Sequence, residues 1–279
     1  MRVHTVSDIH VDYAQNFDWL MGLSESEYRS DVLLLAGDVS DDFALLETVL
    51  AACAARFAQV LFVPGNHDLW VRRCHFDCSL TKFTALNALC DSLGIKTQTF
   101  LLDGVAFVPL LSWYDFSFGE LSRELRRGWR DFSACHWPDS LSDSGAVANY
   151  FHALNEAELV RHSEVCSSAN VVISCSHFLP TLAAMPSWVP ESRRVVYPVL
   201  GSAALGDQVE RLAPAVHVYG HSHVNQAVQL GETCYVNNAF ATPSETRIAV
   251  KRLQCIYDSE NASVLPQLVQ AAKRGLLWS

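Results

Sequence analysis

Short runs rich in aliphatic and β-branched side chains recur along the first part of the chain, at residues 3–6, 32–36 and 60–63. Runs of this length, bounded by polar turns, predict strands buried on both faces. Between them, residues 43–57 and 80–93 carry apolar positions at helical spacing, and Gly94 follows the second as a C-terminal cap. Strand and helix thus alternate across short loops, which predicts a parallel or mixed sheet with crossover helices.

After residue 95 the pattern changes. Residues 96–111 read as a hairpin turning at Asp103-Gly104. Residues 112–150 are irregular, with Trp113, Tyr114, Trp129 and Trp137 set among polar neighbours. A segment that long without periodicity marks a lid or a substrate-shaping insertion. Helical spacing returns over 151–166 and a strand follows at 171–174. A short helix and strand then lead into Val-Tyr-Gly-His-Ser-His at 218–223. Residues 226–237 read as a hairpin around Leu230-Gly231, residues 247–257 as antiparallel strand, and a C-terminal helix follows. The expectation is one α/β (α+β) domain over residues 1–279, with two sheets.

Composition narrows the function. With 50% hydrophobic and 18% charged residues the chain is ordinary globular material. It has no apolar span long enough for a transmembrane helix and no basic-then-apolar leader, so a membrane role is not expected. Nine scattered cysteines, an odd number, fit a reduced cytoplasmic chain better than a disulfide framework. The net charge of −10, with no long Lys/Arg run, makes a nucleic-acid polymer an unfavourable partner.

Candidate chemistry gathers where predicted strands end. The fragments are Asp8-Ile9-His10, Gly37-Asp38-Val39-Ser40-Asp41, Gly65-Asn66-His67-Asp68, Ser176-His177 and Gly220-His221-Ser222-His223. Loops at the carboxyl ends of strands are where α/β folds build their sites. Carboxylate, imidazole and amide oxygen together suit Mn, Fe or Zn, and the lack of thiolate disfavours a structural zinc cluster. Seven such groups exceed one ion and suit two sharing a bridging carboxylate. Ions about 3.5–4 Å apart clamp the attacking and leaving oxygens of a phosphoryl transfer. Each fragment alone is weak, since a lone His after a strand is usually an interior histidine; the ordered set of five is not.

Those five fragments resemble the DxH, GDxxD, GNH(D/E), lone-His and GHxH motifs of the calcineurin-like metallophosphoesterases, over about four-fifths of the chain. The resemblance implies a two-sheet β-sandwich flanked by helices, a four-layer αββα arrangement. It further implies a metal-dependent phosphoric ester hydrolase, either phosphatase or phosphodiesterase, with two ions of Mn, Fe or Zn. Asp8, His10 and His223 would hold the first ion, Asp38 would bridge, and Asn66, His177 and His221 would hold the second. His67 would protonate the leaving alkoxide, with Asp41 fixing its orientation, while a metal-bridged hydroxide attacks phosphorus. An alkoxide leaves poorly unless protonated as it departs, which is the chemistry His67 would supply.

Three rivals follow from the same residues: a nuclease, a protein Ser/Thr phosphatase and a non-catalytic scaffold that kept the fold. The phosphatase reading is weakened because the second motif continues GDVSDDF, with Asp42 where that branch carries Arg. For the phosphate itself, Arg72 and Arg73 are the nearest candidates, with a solvated surface pair as the equal alternative. Arg126, Arg127 and Arg130 are further ones. Trp113 and Tyr114 either line the cleft against the substrate or pack in the core. No Cys-x5-Arg loop, GxSxG elbow or Walker loop occurs, and Cys74-His75-x-x-Cys78 lacks a second pair to complete a zinc site. The expected partner is a small phosphorylated molecule, with no protein partner.

Overall fold

Alternate residues of the first strands face different layers, and this decides the architecture. The computed structural model describes residues 1–73, 75–165 and 167–261. Its first five strands are β1 (Arg2–Val6), β2 (Val32–Leu35), β3 (Gln59–Phe62), β4 (Phe100–Leu102) and β5 (Val105–Pro109). The remainder are β6 (Val171–Cys175), β7 (Val216–Tyr219), β8 (Gln226–Leu230), β9 (Thr233–Asn237) and β10 (Gln254–Asp258). One sheet has the order β10-β1-β2-β3, and the other β4-β5-β6-β7-β9-β8. Within the first, β1, β2 and β3 run parallel while β10 is antiparallel to β1.

In β2, Val32 and Leu34 point between the sheets with Val3, Leu61, Phe107, Ile173, Val216 and Val236. Leu33 and Leu35 point outward and meet helices α1 (Ala14–Met21), α2 (Phe43–Arg56) and α3 (Ser79–Ser92) through Leu20, Leu46, Val49, Leu50 and Leu86. The second sheet sends Val108, Tyr219 and Tyr235 to its own outer layer. There they pack on Leu205, Val209 and Leu212 of α7 (Ala203–Leu212). Strands buried on both faces explain the unbroken apolar runs. The result is the helix–sheet–sheet–helix layering implied by the motifs.

The remaining helices are α4 (Arg123–Gly128), α5 (Asp131–Ala134) and α6 (Ser144–Val165). Segment 112–150 is therefore less irregular than expected. Helix α6 starts at Ser144 rather than at 151, because Asp143 Oδ1 accepts the Ala146 N–H and caps it. Helix α2 is likewise capped by Asp42, whose carboxylate accepts from the Ala44 and Leu45 amides. The hairpin at Asp103-Gly104 forms with both residues at positive φ, 48° and 76°. The second hairpin turns one residue later than predicted, at Gly231-Glu232. Of residues 247–257, only those from Gln254 pair as strand, while Lys251 Nζ caps the carbonyls of Phe240, Ala241 and Thr242. The predicted C-terminal helix and Cys74 lie outside the described residues. Among the described residues no helix is long and apolar enough to cross a membrane. Cys53, Cys90, Cys135, Cys175 and Cys234 are free and buried, used as small apolar fillers.

Candidate metal centre

The loops after β1, β2, β3, β6 and β7 converge at one end of the sandwich, and their backbones are unusual there. Asp8, His10, Asp38, His221 and His223 all have φ between 46° and 65°. Non-glycine residues avoid this left-handed region, at a cost on the order of 1 kcal/mol each, and clusters of them persist where the surroundings impose them. The surroundings do so here through one carboxylate. Asp68 accepts the amides of Asp38 (2.8 Å), Val39 (2.9 Å), Ser40 (3.1 Å) and Gly65 (2.8 Å), stitching two loops together. Asp8 in turn accepts the His221 amide at 3.0 Å, and Asp38 Oδ1 accepts the His67 amide at 2.9 Å.

Side chains then meet in two sets, which a third, His10, Asp38 and His67, overlaps. Asp8, His10 and His223 form one, with His223 Nε2 3.4 Å from Asp8 Oδ1 and 3.1 Å from His10 Nε2. Asp38, His177 and His221 form the other, with His177 Nε2 3.4 Å from Asp38 Oδ1 and 3.2 Å from His221 Nδ1. Asn66 Oδ1 joins the second set at 3.0 Å from His177 Nε2. Asp38 Oδ2 reaches back to His10 at 4.0 Å, so this carboxylate stands between the sets.

The outer ring nitrogens have fixed acceptors. His177 Nδ1 lies 2.8 Å from the Ala36 carbonyl, His221 Nε2 3.0 Å from that of Val199, and His223 Nδ1 2.8 Å from Glu245 Oε2. With the proton on the outer nitrogen, the inner ones carry lone pairs aimed at each other, which calls for a cation between them. Burial favours the neutral rings, lowering the pKa of His10 to about 3 and depressing His177 and His221. His223 is the exception: burial lowers it, but its bonds to Asp8 and Glu245 prevail and raise it to about 10. Asp38 is pushed well up by burial and by the neighbouring Asp8 and Asp68 charges. Crowded carboxylates and inward lone pairs fit two divalent ions, so the donor set matches the expected group.

His67 stands at the cleft edge beside this centre. Its ring stacks on Trp70 at 3.6 Å between centroids and meets His10 edge-on at 4.7 Å. Burial, then the surrounding imidazoles, hold its pKa well below the usual histidine value. Among the described residues Asp41 makes no hydrogen bond to the His67 ring. Asp41 Oδ1 instead meets Arg73 Nη1 at 3.3 Å, and burial with the neighbouring Asp12 raises its pKa to about 6. Trp70 is the group that restrains the His67 ring.

A cleft of about 600 Å³ opens over these residues, walled by Tyr13, Arg73, Trp129, Arg130 and Val196 among others. Arg73 lines it; Arg72 is exposed and does not, nor do Arg126 and Arg127. Trp113 and Tyr114 are corrected to core residues. Each is 1% exposed, packed together and against Phe178, because the chain turns inward after β5.

Three carboxylates that matter here were missed by sequence reasoning. Asp131 accepts from Asn66 Nδ2 at 2.9 Å and from the indoles of Trp70 and Trp129, which turns the Asn66 oxygen toward His177. No local signal marks it. Asp68 was quoted only as part of its motif. Glu245 had a usable signal, since Thr242-Pro243-Ser244-Glu245 has capping-box form and both the Thr242 amide and hydroxyl donate to it.

Known proteins resemble this chain in sequence and fold. The calcineurin-like phosphoesterase profile matches residues 1–225. Over 125 residues the chain is 31% identical to [acyl-carrier-protein] phosphodiesterase PptH of Mycobacterium tuberculosis (strain ATCC 25618 / H37Rv), which covers 40% of this chain and 37% of that protein. The sequence match thus spans little more than a third of the curated relative. The crystal structure of phosphopantetheinyl hydrolase (PptH) from Mycobacterium tuberculosis superposes with a TM-score of 0.76 at 21% identity, covering 94% of this chain and 98% of that one. Five ordered motifs, the sandwich that gathers them and a profile match over most of its length place this chain in the calcineurin-like phosphoesterase family.

Proposed function

We propose that the chain is a metal-dependent phosphodiesterase acting on a phosphodiester with one protein-linked arm. Asp8, His10, Asp38, Asn66, His177, His221 and His223 would hold two ions of Mn, Fe or Zn. The observation that carries this reading is the pair of inward-facing donor sets with Asp38 between them. When bound, the ions supply Lewis-acid stabilisation of phosphoryl charge and acidified water.

The chain's own residues do the rest. His67, whose side chain is 26% exposed at the cleft, is placed to give a proton to the departing oxygen. Trp70 keeps the ring facing the cleft. Arg73 offers a guanidinium to non-bridging phosphate oxygens, while its contacts to Asp12 and Asp41 set its reach. Segment 112–150 contributes Gly128, Trp129 and Arg130 to one cleft wall, which supports a substrate-shaping role. The protein-linked diester is taken from the relative's activity on an acyl carrier protein.

The test uses three substrates with added Mn²⁺: p-nitrophenyl phosphate, bis(p-nitrophenyl) phosphate and an acyl carrier protein bearing its phosphopantetheinyl arm, followed by mass. Both diesters should turn over, faster than the monoester. A His67→Ala variant should lose on the order of 10²–10⁴ in kcat while binding the same amount of metal. Full turnover by that variant removes His67 as the acid, and no turnover of any substrate with metal bound removes the enzyme reading.

A further inference from the structure

Arg123, Arg126, Arg127, Arg130, Arg193 and Arg194 all stand exposed on two neighbouring elements, in a chain whose net charge is −10. Four lie on α4 and the turn after it, and two on the 3-10 helix Glu191–Val199. The elements join one hydrophobic cluster, through Leu125 of the first and Val196 of the second. Both reach the cleft, one through Gly128 to Arg130, the other through Val196. Over 122–130 and 188–199 only Glu124 and Glu191 oppose the six positive charges.

Among the described residues these arginines form no ion pairs. The arginines that form ion pairs among the described residues are Arg2, Arg56, Arg73, Arg161 and Arg211. Arg126 lies 6.0 Å over the Phe132 ring, and Arg194 Nε donates to the Val189 carbonyl. Large apolar side chains are exposed among them, with Trp188 at 60%, Val195 at 50% and Phe132 at 37%. Exposed Trp and Arg set together are the residue types that anchor protein interfaces.

We infer that this rim docks an acidic protein surface and presents that protein's phosphodiester arm to the cleft. The inference rests on the reading of a protein-linked diester and adds the surface that recognises its carrier. Charge complementarity selects the occupant. A small acidic fold can sit on the rim alone, gaining steering from the arginines. A nucleic-acid strand would run beyond it onto a surface that is acidic overall.

The test compares the full chain with an R126E/R127E/R193E variant, none of whose altered residues lines the cleft. KM for the modified acyl carrier protein should rise by about tenfold or more, an effect that shrinks in high salt. Turnover of bis(p-nitrophenyl) phosphate should stay within about twofold, since diffusional steering matters little for it. Replacement of the same three residues by Gln should give a smaller rise. An unchanged KM, or equal loss on both substrates, overturns the docking surface. If the chain hydrolyses the small diester but not the carrier protein, the substrate reading fails, and the rim is judged by binding alone. Fluorescence anisotropy with unmodified acyl carrier protein, lost in the variant, then upholds it. Absence of binding, or tighter binding of a DNA oligonucleotide, overturns it.

Discussion

Glu245 shows how much one side chain beyond the donor set decides. Its carboxylate receives His223 Nδ1 at 2.8 Å, and although burial opposes ionisation, the bond to His223 lowers its pKa to about 2. It thereby fixes both the ring orientation and the nitrogen left for an ion. Glu245→Gln should weaken divalent-ion affinity by roughly 10–100-fold, the usual range for such supporting partners. Competition against a chromogenic chelator measures it, and thermal unfolding in EDTA should move little. Legibility at this scale followed distance along the chain. The seven donors and His67 each lie within a few residues of a strand end, inside a local motif. Glu245 acts across 22 residues and Asp131 across 65, so only the folded chain reveals them.

At the scale of elements, β2, β3 and β5 were readable because each is a short apolar run with both faces largely buried. Helix α1 was not. It has only eight residues, too short to be stable alone, and its buried Asn16 donates to the carbonyls of Ile9 and Ala241. Tertiary contacts form that helix, and local sequence does not announce them. Gly220 does not adopt a left-handed turn; the positive φ values fall on His221 and His223 instead. What Gly220 provides is space, since a Cβ there would come within 2.7 Å of Asp8 Oδ2 and 2.9 Å of Ser7 Oγ. Gly220→Ala should therefore displace Asp8 and cut turnover by about 100-fold, the scale of a misplaced catalytic geometry. Gly94→Ala is the contrast: its Cβ meets open space, but φ is 70°. It should cost about 1 kcal/mol in a urea melt and leave turnover intact.

For the whole molecule, acid sensitivity has an identifiable source away from the centre. His217 on β7 is fully buried beneath the outer helical layer, bonded to Ser174 Oγ at 2.8 Å and Ser176 Oγ at 3.0 Å. Burial lowers its pKa to about 3. Between that value and the unfolded value near 6.5, the unfolded chain binds the extra proton. Its contribution is intact above pH 6.5 and declines as pH falls toward 3, by at most about 1.4 kcal/mol per unit. Denaturant midpoints at pH 7 and pH 5 should differ more for the native chain than for His217→Gln, which cannot titrate.

The strand order also sets a timetable for synthesis. β1 lies between β2 and β10, so the sheet that carries Asp8 and His10 stays unfinished until residues 254–258 have been made. The Asp8–His221 bond spans 213 residues, which at roughly 5–20 residues per second means some 10–40 s of translation. Throughout that interval the nascent chain displays its first aspartate and histidine without the partners that complete their set. The centre can thus assemble only after His223 has been made, when most strands of both sheets are already present to shape the choice of ion.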